Sequence, residues 1–116
     1  NFIPSNDDDD DDDTGIQVRA LDWTNVDENE LHLFDVIVNC DCIFEPLYGE
    51  SWKDLLQIQV RILQVNLKAL VVTVCERRNM DGIDKYVAAA ENLCNIERVE
   101  LDFAHSHDVH IYRLSL

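Results

Sequence analysis

Residues 34–44, FDVIVNCDCIF, constrain the fold of this chain more than any other stretch. Apart from Asp35, residues 34–38 are apolar, the composition of a strand covered on both faces. The apolar run breaks at Asn39-Cys40-Asp41, which places a carboxylate at the strand exit. In open α/β sheets, ligands bind just beyond the carboxyl ends of the strands. A second stretch, Arg19-Ala20-Leu21-Asp22-Trp23, also runs into an acid and an aromatic. The two exits are expected to form one site.

The rest of the pattern extends this reading. Residues 16–21 alternate, with Ile16, Val18 and Ala20 against Gln17 and Arg19, as a short strand does. Residues 24–32 are polar and read as a loop. Ser51-Trp52-Lys53-Asp54 reads as a capping box, and Trp52, Leu55, Leu56, Ile62 and Leu63 follow at helical spacing. Residues 70–75 are a second apolar strand. A second helix carries Ile83, Tyr86, Val87, Ala90, Leu93 and Cys94 on one face, with Asn95 as its stop. Residues 99–103 alternate as a strand with one wet face, 105–108 form a turn, and 110–116 are the last strand. Apolar strands alternating with helices predict a parallel sheet. The last connection is too short for a crossover, so the final two strands should pair antiparallel.

Charge and cysteine usage narrow the function classes. Asp7 to Asp13 is an unbroken run of seven aspartates, expected to be solvated, so residues 1–14 read as a disordered acidic leader and 15–116 as the folded part. Removing those seven charges takes the net charge from −15 to −8. An acidic chain of this kind is unsuited to nonspecific nucleic-acid binding, which needs Lys and Arg against phosphate, and it suits a basic protein partner better, although the charge by itself is read first as a means of solubility. No apolar run is long enough to cross a bilayer, and residue 1 is Asn, so the chain is expected to begin inside a longer protein or after processing. Cys40, Cys42, Cys75 and Cys94 fall in apolar contexts and read as buried reduced thiols, which points to an intracellular compartment, cytoplasmic or nuclear.

Two local motifs carry a resemblance to a known family. Leu21-Asp22-Trp23 resembles the third-strand motif of the family 16 methyltransferases, which depend on S-adenosylmethionine and are mostly protein-lysine methyltransferases. Asp41-Cys42-Ile43-Phe44 resembles the Asp-x-x-Tyr or Asp-x-x-Phe motif after their fourth strand. The likeness covers about residues 16–116. It implies the C-terminal portion of a Rossmann-like seven-strand sheet of order 3-2-1-4-5-7-6, ending in an antiparallel hairpin, with strands 1 and 2 absent. It departs from the family where Thr24 follows the tryptophan and where Asn39-Cys40 precede the aspartate. The family's Gly-rich cofactor loop is missing, since none of Gly15, Gly49 and Gly82 lies in a Gly-rich strand-to-helix turn. The resemblance therefore implies a fragment of a longer enzyme or a truncated gene product.

The implied activity is transfer of a methyl group from S-adenosylmethionine to a lysine amine of a protein substrate. By resemblance, Asp41 accepts a hydrogen bond from the amine and Phe44 walls the lysine channel. Trp23 packs on the adenine, Asp22 lies near its exocyclic amine, and Cys40 offers backbone contacts to the cofactor. The alternative is a non-catalytic acidic protein-interaction module that keeps the fold and has lost transfer. Cys40 and Cys42 with His105, His107 and His110 lack the spacing of a metal site. Glu76-Arg77-Arg78-Asn79 reads as a solvated loop.

Overall fold

The structure is a computed structural model that describes residues 15–18, 20–100 and 108–116. The expected acidic leader, the turn at 105–107 and most of the expected 99–103 strand lie outside the described residues. The elements in chain order are a 3-10 helix (Glu28–Leu33), β1 (Val36–Cys40), α1 (Glu45–Tyr48), α2 (Trp52–Val65), β2 (Leu70–Glu76), α3 (Ile83–Glu91), β3 (Asn95–Val99) and β4 (Val109–Ser115). They form a mixed α/β unit around one four-stranded sheet of order β1-β2-β4-β3. β1 and β2 are parallel, whereas β4 is antiparallel to both β2 and β3. The expected parallel pair and closing antiparallel pair are both present.

Helix α2 forms because its apolar residues recur every three or four positions. Trp52, Leu55, Leu56, Val60, Ile62 and Leu63 are all buried. Each buried Leu or Ile side chain contributes roughly 1.5–3 kcal/mol relative to exposure. The expected capping box does not form. Ser51 has helical φ and ψ and makes no side-chain cap bond, so the helix is entered through the preceding turn rather than through a hydroxyl cap. Helix α3 starts at Gly82, whose φ of 92° is left-handed. A Cβ there would also lie 2.6 Å from the Glu45 side chain, so glycine is required twice over.

Both long helices pack on one face of the sheet. The residue that proves it is Gln59, a fully buried amide in the apolar stripe of α2. Its Nε2 donates to Thr73 Oγ1 on β2 (2.9 Å) and to Asn39 Oδ1 on β1 (2.7 Å). Tyr86 of α3 donates its hydroxyl to Gln59 Oε1 at 2.7 Å and sits 3.0 Å from the Thr73 hydroxyl. Both Gln59 donors are used, and the Thr73 hydroxyl can close the ring by donating to Tyr86, so the buried network is satisfied. Burial pushes the Tyr86 phenol up to about 12, so it stays a donor at any ordinary pH. Trp52 meets Tyr86 edge-on at 6.5 Å between ring centres, joining the start of α2 to α3.

The opposite face carries no helix among the described residues. Register puts Val36 and Val38 beside Leu70 and Val72, and Val74 beside Ile111. Val36 and Val38 are each 58% exposed. The expected burial of this strand on both faces is thus corrected: among the described residues β1 is the edge strand and is covered on one face only. Leu70 N–H donates to Asp35 O and Asp41 N–H to Val74 O, each at 2.8 Å. Residues 35, 37, 39 and 41 therefore turn their main chain to β2, and 36, 38 and 40 present theirs to the outer edge.

Four further expectations are corrected. Among the described residues 15–18 and 20–22 no strand forms, and β1 ends the sheet. Residues 28–33 are helical rather than loop: Asp27 accepts the Asn29 N–H at 2.9 Å and Glu28 and Glu30 occupy the first turn. Helix α3 ends at Glu91, and Asn95, expected as its stop, opens β3. Of the four thiols only Cys75 is buried; Cys40 is exposed because its side chain belongs to the open face.

Tyr86→Phe is expected to lower the unfolding free energy by about 1–3 kcal/mol, since it leaves Gln59 Oε1 buried without a donor. Urea denaturation checks this, and a wild-type midpoint would show that the network does not hold the helices to the sheet.

Candidate functional site

The strand exits are built by one tight turn and one buried carboxylate. After β1 the chain reverses at Asp41, whose φ of 53° is left-handed, a conformation Asp tolerates better than most residues. Its Oδ1 accepts the Glu76 N–H at 3.0 Å, tying the end of β1 to the end of β2. Its other oxygen lies 3.8 Å from the Arg78 guanidinium, which also faces Glu76 at 3.6 Å. The same guanidinium lies over the Phe44 ring, 4.8 Å from its centre. Asp41 and Phe44 are thus brought together through Arg78. The expected solvated loop at 76–79 is an organised segment.

Sequence reasoning missed the residue that organises that segment. Asp81 is buried, and its carboxylate accepts from Arg77 Nε (3.0 Å), Arg78 N–H (2.8 Å) and Ile83 N–H (2.9 Å). It therefore orders the β2–α3 loop and caps α3 at the same time. Burial raises the Asp81 carboxyl, but the three hydrogen bonds and the Arg77 charge outweigh it and hold it below its ordinary value of 3.8. Burial opposes the Arg77 charge in turn, and Asp81 and Asp84 hold it above its ordinary range. Glu45 completes the arrangement. Its N–H donates to Asp81 O (2.9 Å), and its carboxylate accepts from Trp52 Nε1 (2.8 Å) and Lys85 Nζ (3.1 Å). The Asp81-Gly82 step before an apolar helical period was the available signal.

Asp22 and Trp23 lie elsewhere. Asp22 Oδ1 accepts both the Thr24 N–H (2.9 Å) and the Thr24 hydroxyl (2.7 Å), closing a local turn, and these bonds hold its carboxyl below its ordinary value. Trp23 is half-buried and lines a largely apolar cavity of about 370 Å³ with Leu31, Phe34, Ile37, Asn39 and Ile58. Asp41, Phe44 and Cys40 do not line it, and the Cys40 side chain belongs to the sheet face opposite Asn39. The structure therefore forms two separate places: a charged exit cluster around Arg78 and Asp81, and an apolar cavity beside Trp23. Among the described residues, no group of three or more His, Cys, Asp or Glu is gathered for a metal ion. No helix among them is long and apolar enough to cross a membrane.

No protein-family model matches the chain. Over 84 residues it is 44% identical to Secreted RxLR effector protein 48 of Plasmopara viticola, with 66% of this chain aligned. The chain spans 42% of the length of that curated relative. This likeness overturns the methyltransferase assignment, because the matched protein is named a secreted effector and not an enzyme. The expected protein-lysine methyl transfer and the cytoplasmic or nuclear location are corrected with it. S-adenosylmethionine and a lysine-bearing substrate were implications of the same resemblance and have no support apart from it.

The exit cluster generates a pH prediction. The folded-state carboxyl of Asp81 titrates below its unfolded value, so its stabilisation is complete above the unfolded value and is lost as pH falls through the folded one. Asp81→Asn is expected to destabilise the fold at pH 7 and to flatten its loss of stability in acid. Urea midpoints measured from pH 7 to pH 3 check this, and parallel profiles for the two proteins would contradict it.

Proposed function

We propose that this chain is a non-catalytic, acidic protein-interaction module of a secreted effector, and that it binds a basic protein of the host. The observation that carries this reading is the 44% identity to a protein named as a secreted effector. The charge balance supports it: 24 acidic against nine basic side chains give a surface that steers basic partners by long-range attraction. The state of the exit cluster supports it too. The Asp41 carboxylate is engaged by the Glu76 N–H and faces Arg78, which suits a group that holds a turn.

A finer reading of the fold accompanies this one. The order β1-β2-β4-β3 is the order that the last four strands, 4-5-7-6, of a Rossmann-like seven-strand sheet would take. The module keeps such a half-sheet as a scaffold for binding and carries no transfer chemistry.

Cross-linking in host-cell extract followed by mass spectrometry tests the proposal. The full chain is expected to capture a discrete protein of net positive charge, to release it as salt rises from ~0.05 to ~0.5 M, and to leave its intact mass unchanged. A partner that gains mass on incubation, or the absence of any salt-sensitive partner, would contradict the proposal.

A further inference from the structure

Among the described residues, the helix-free face of the sheet is an apolar surface without a cover. Val36 and Val38 on β1, Leu70, Val72 and Val74 on β2, and Ile111 on β4 share it by register. Val36, Val38 and Leu70 are exposed and the other three are half-buried. Parallel strands of this composition are normally covered on both faces by helices, and an uncovered contiguous apolar patch marks an interaction surface. Val99 of β3 lies beside Ile111 on the same face and is 38% exposed, so the patch reaches all four strands and is roughly 15 Å across, room for one helix.

We propose that this face is the docking surface for one amphipathic helix of a basic protein partner. The inference deepens the interaction-module reading and rests on it. The charges around the patch choose the occupant. Glu76 and Glu97 share the face with the valines, and Asp41, 53% exposed in its side chain, lies at the β1 exit. The two nearby cations are already committed to acids. Arg113 holds Glu97 at 2.6 Å, and Arg78 lies between Asp41 and Glu76. The rim is therefore short of positive charge, and a helix with Lys or Arg flanking its apolar stripe supplies it. A second copy of this chain would bring together two molecules of net charge −15 and offers no such complement. Layer architecture favours a helix, because parallel strands such as β1 and β2 are ordinarily covered on both faces by helices.

The test uses the full chain and a synthetic peptide of about 18 residues, built only of leucine and lysine with leucines at i, i+3, i+4 and i+7. A second peptide of the same composition has its leucines moved off that spacing. By fluorescence anisotropy, the chain is expected to bind the patterned peptide at least about tenfold tighter than the control. The double variant Val38→Thr/Val72→Thr keeps strand propensity and removes apolar surface, and is expected to lose that preference with an unchanged urea midpoint. Val65→Thr, at the end of α2 and away from the face, is expected to keep it. Equal binding of both peptides, wild-type preference in the double variant, or self-association of the wild-type chain that the double variant abolishes would overturn the proposal. A wild-type chain that shows no preference between the peptides but still captures a basic host protein sinks this docking surface alone; a wild-type chain that does neither sinks the interaction reading as well.

Discussion

The architecture depends on one buried amide. Gln59 sits fully desolvated in the apolar stripe of α2 and is bonded at once to β1 through Asn39, to β2 through Thr73 and to α3 through Tyr86. Apolar packing alone is tolerant of sliding. A buried hydrogen-bonded ring is not, because any shift leaves a donor or acceptor unpaired. The network therefore fixes both long helices on the same side of the sheet. Among the described residues this leaves a sheet covered on one side only, with an edge strand at β1 and exposed or half-buried valines on the other face.

The charged loop beyond β2 follows the same logic at smaller scale. Asp81 is the buried carboxylate there, and three donors converge on it. Through Glu45 it also links α1 to the start of α3. This arrangement consumes the charge of Arg77 and orients Arg78 toward Asp41 and Phe44. A strand exit rich in charge is thus tied together by hydrogen bonds and ion pairs. These groups border the valine face, where Asp41, Glu76 and Glu97 stand with Arg78 and Arg113 around the apolar side chains.

The amphipathic helix α2, the parallel β1–β2 pair and the antiparallel closure were legible in the sequence, because each rests on periodicity or on connection length. Residues 16–21 misled because alternation reports side-chain direction and not the presence of a neighbour. Ser51 misled because a capping signature does not require the capping geometry. Gln59 was illegible as an anchor, since a single amide within an apolar stripe looks like a tolerated polar residue until its three partners are known. Asp41 and Phe44 meet at Arg78 beyond β1, whereas Trp23, expected beside them on motif spacing, lines an apolar cavity that neither of them lines. The motifs carried the wrong chemistry because two short strand-end patterns describe a turn geometry that a binding module can also hold.

Methyl NMR of the full chain, titrated with the patterned leucine–lysine peptide, tests the central claim most directly. The account predicts shifts in the methyl signals of Val36, Val38, Val72, Val74 and Ile111 and unmoved signals from Val71, Leu63 and Leu114 on the helix-covered side. Shifts confined to residues beneath α2 and α3, or no methyl shifts at peptide saturation, would contradict it.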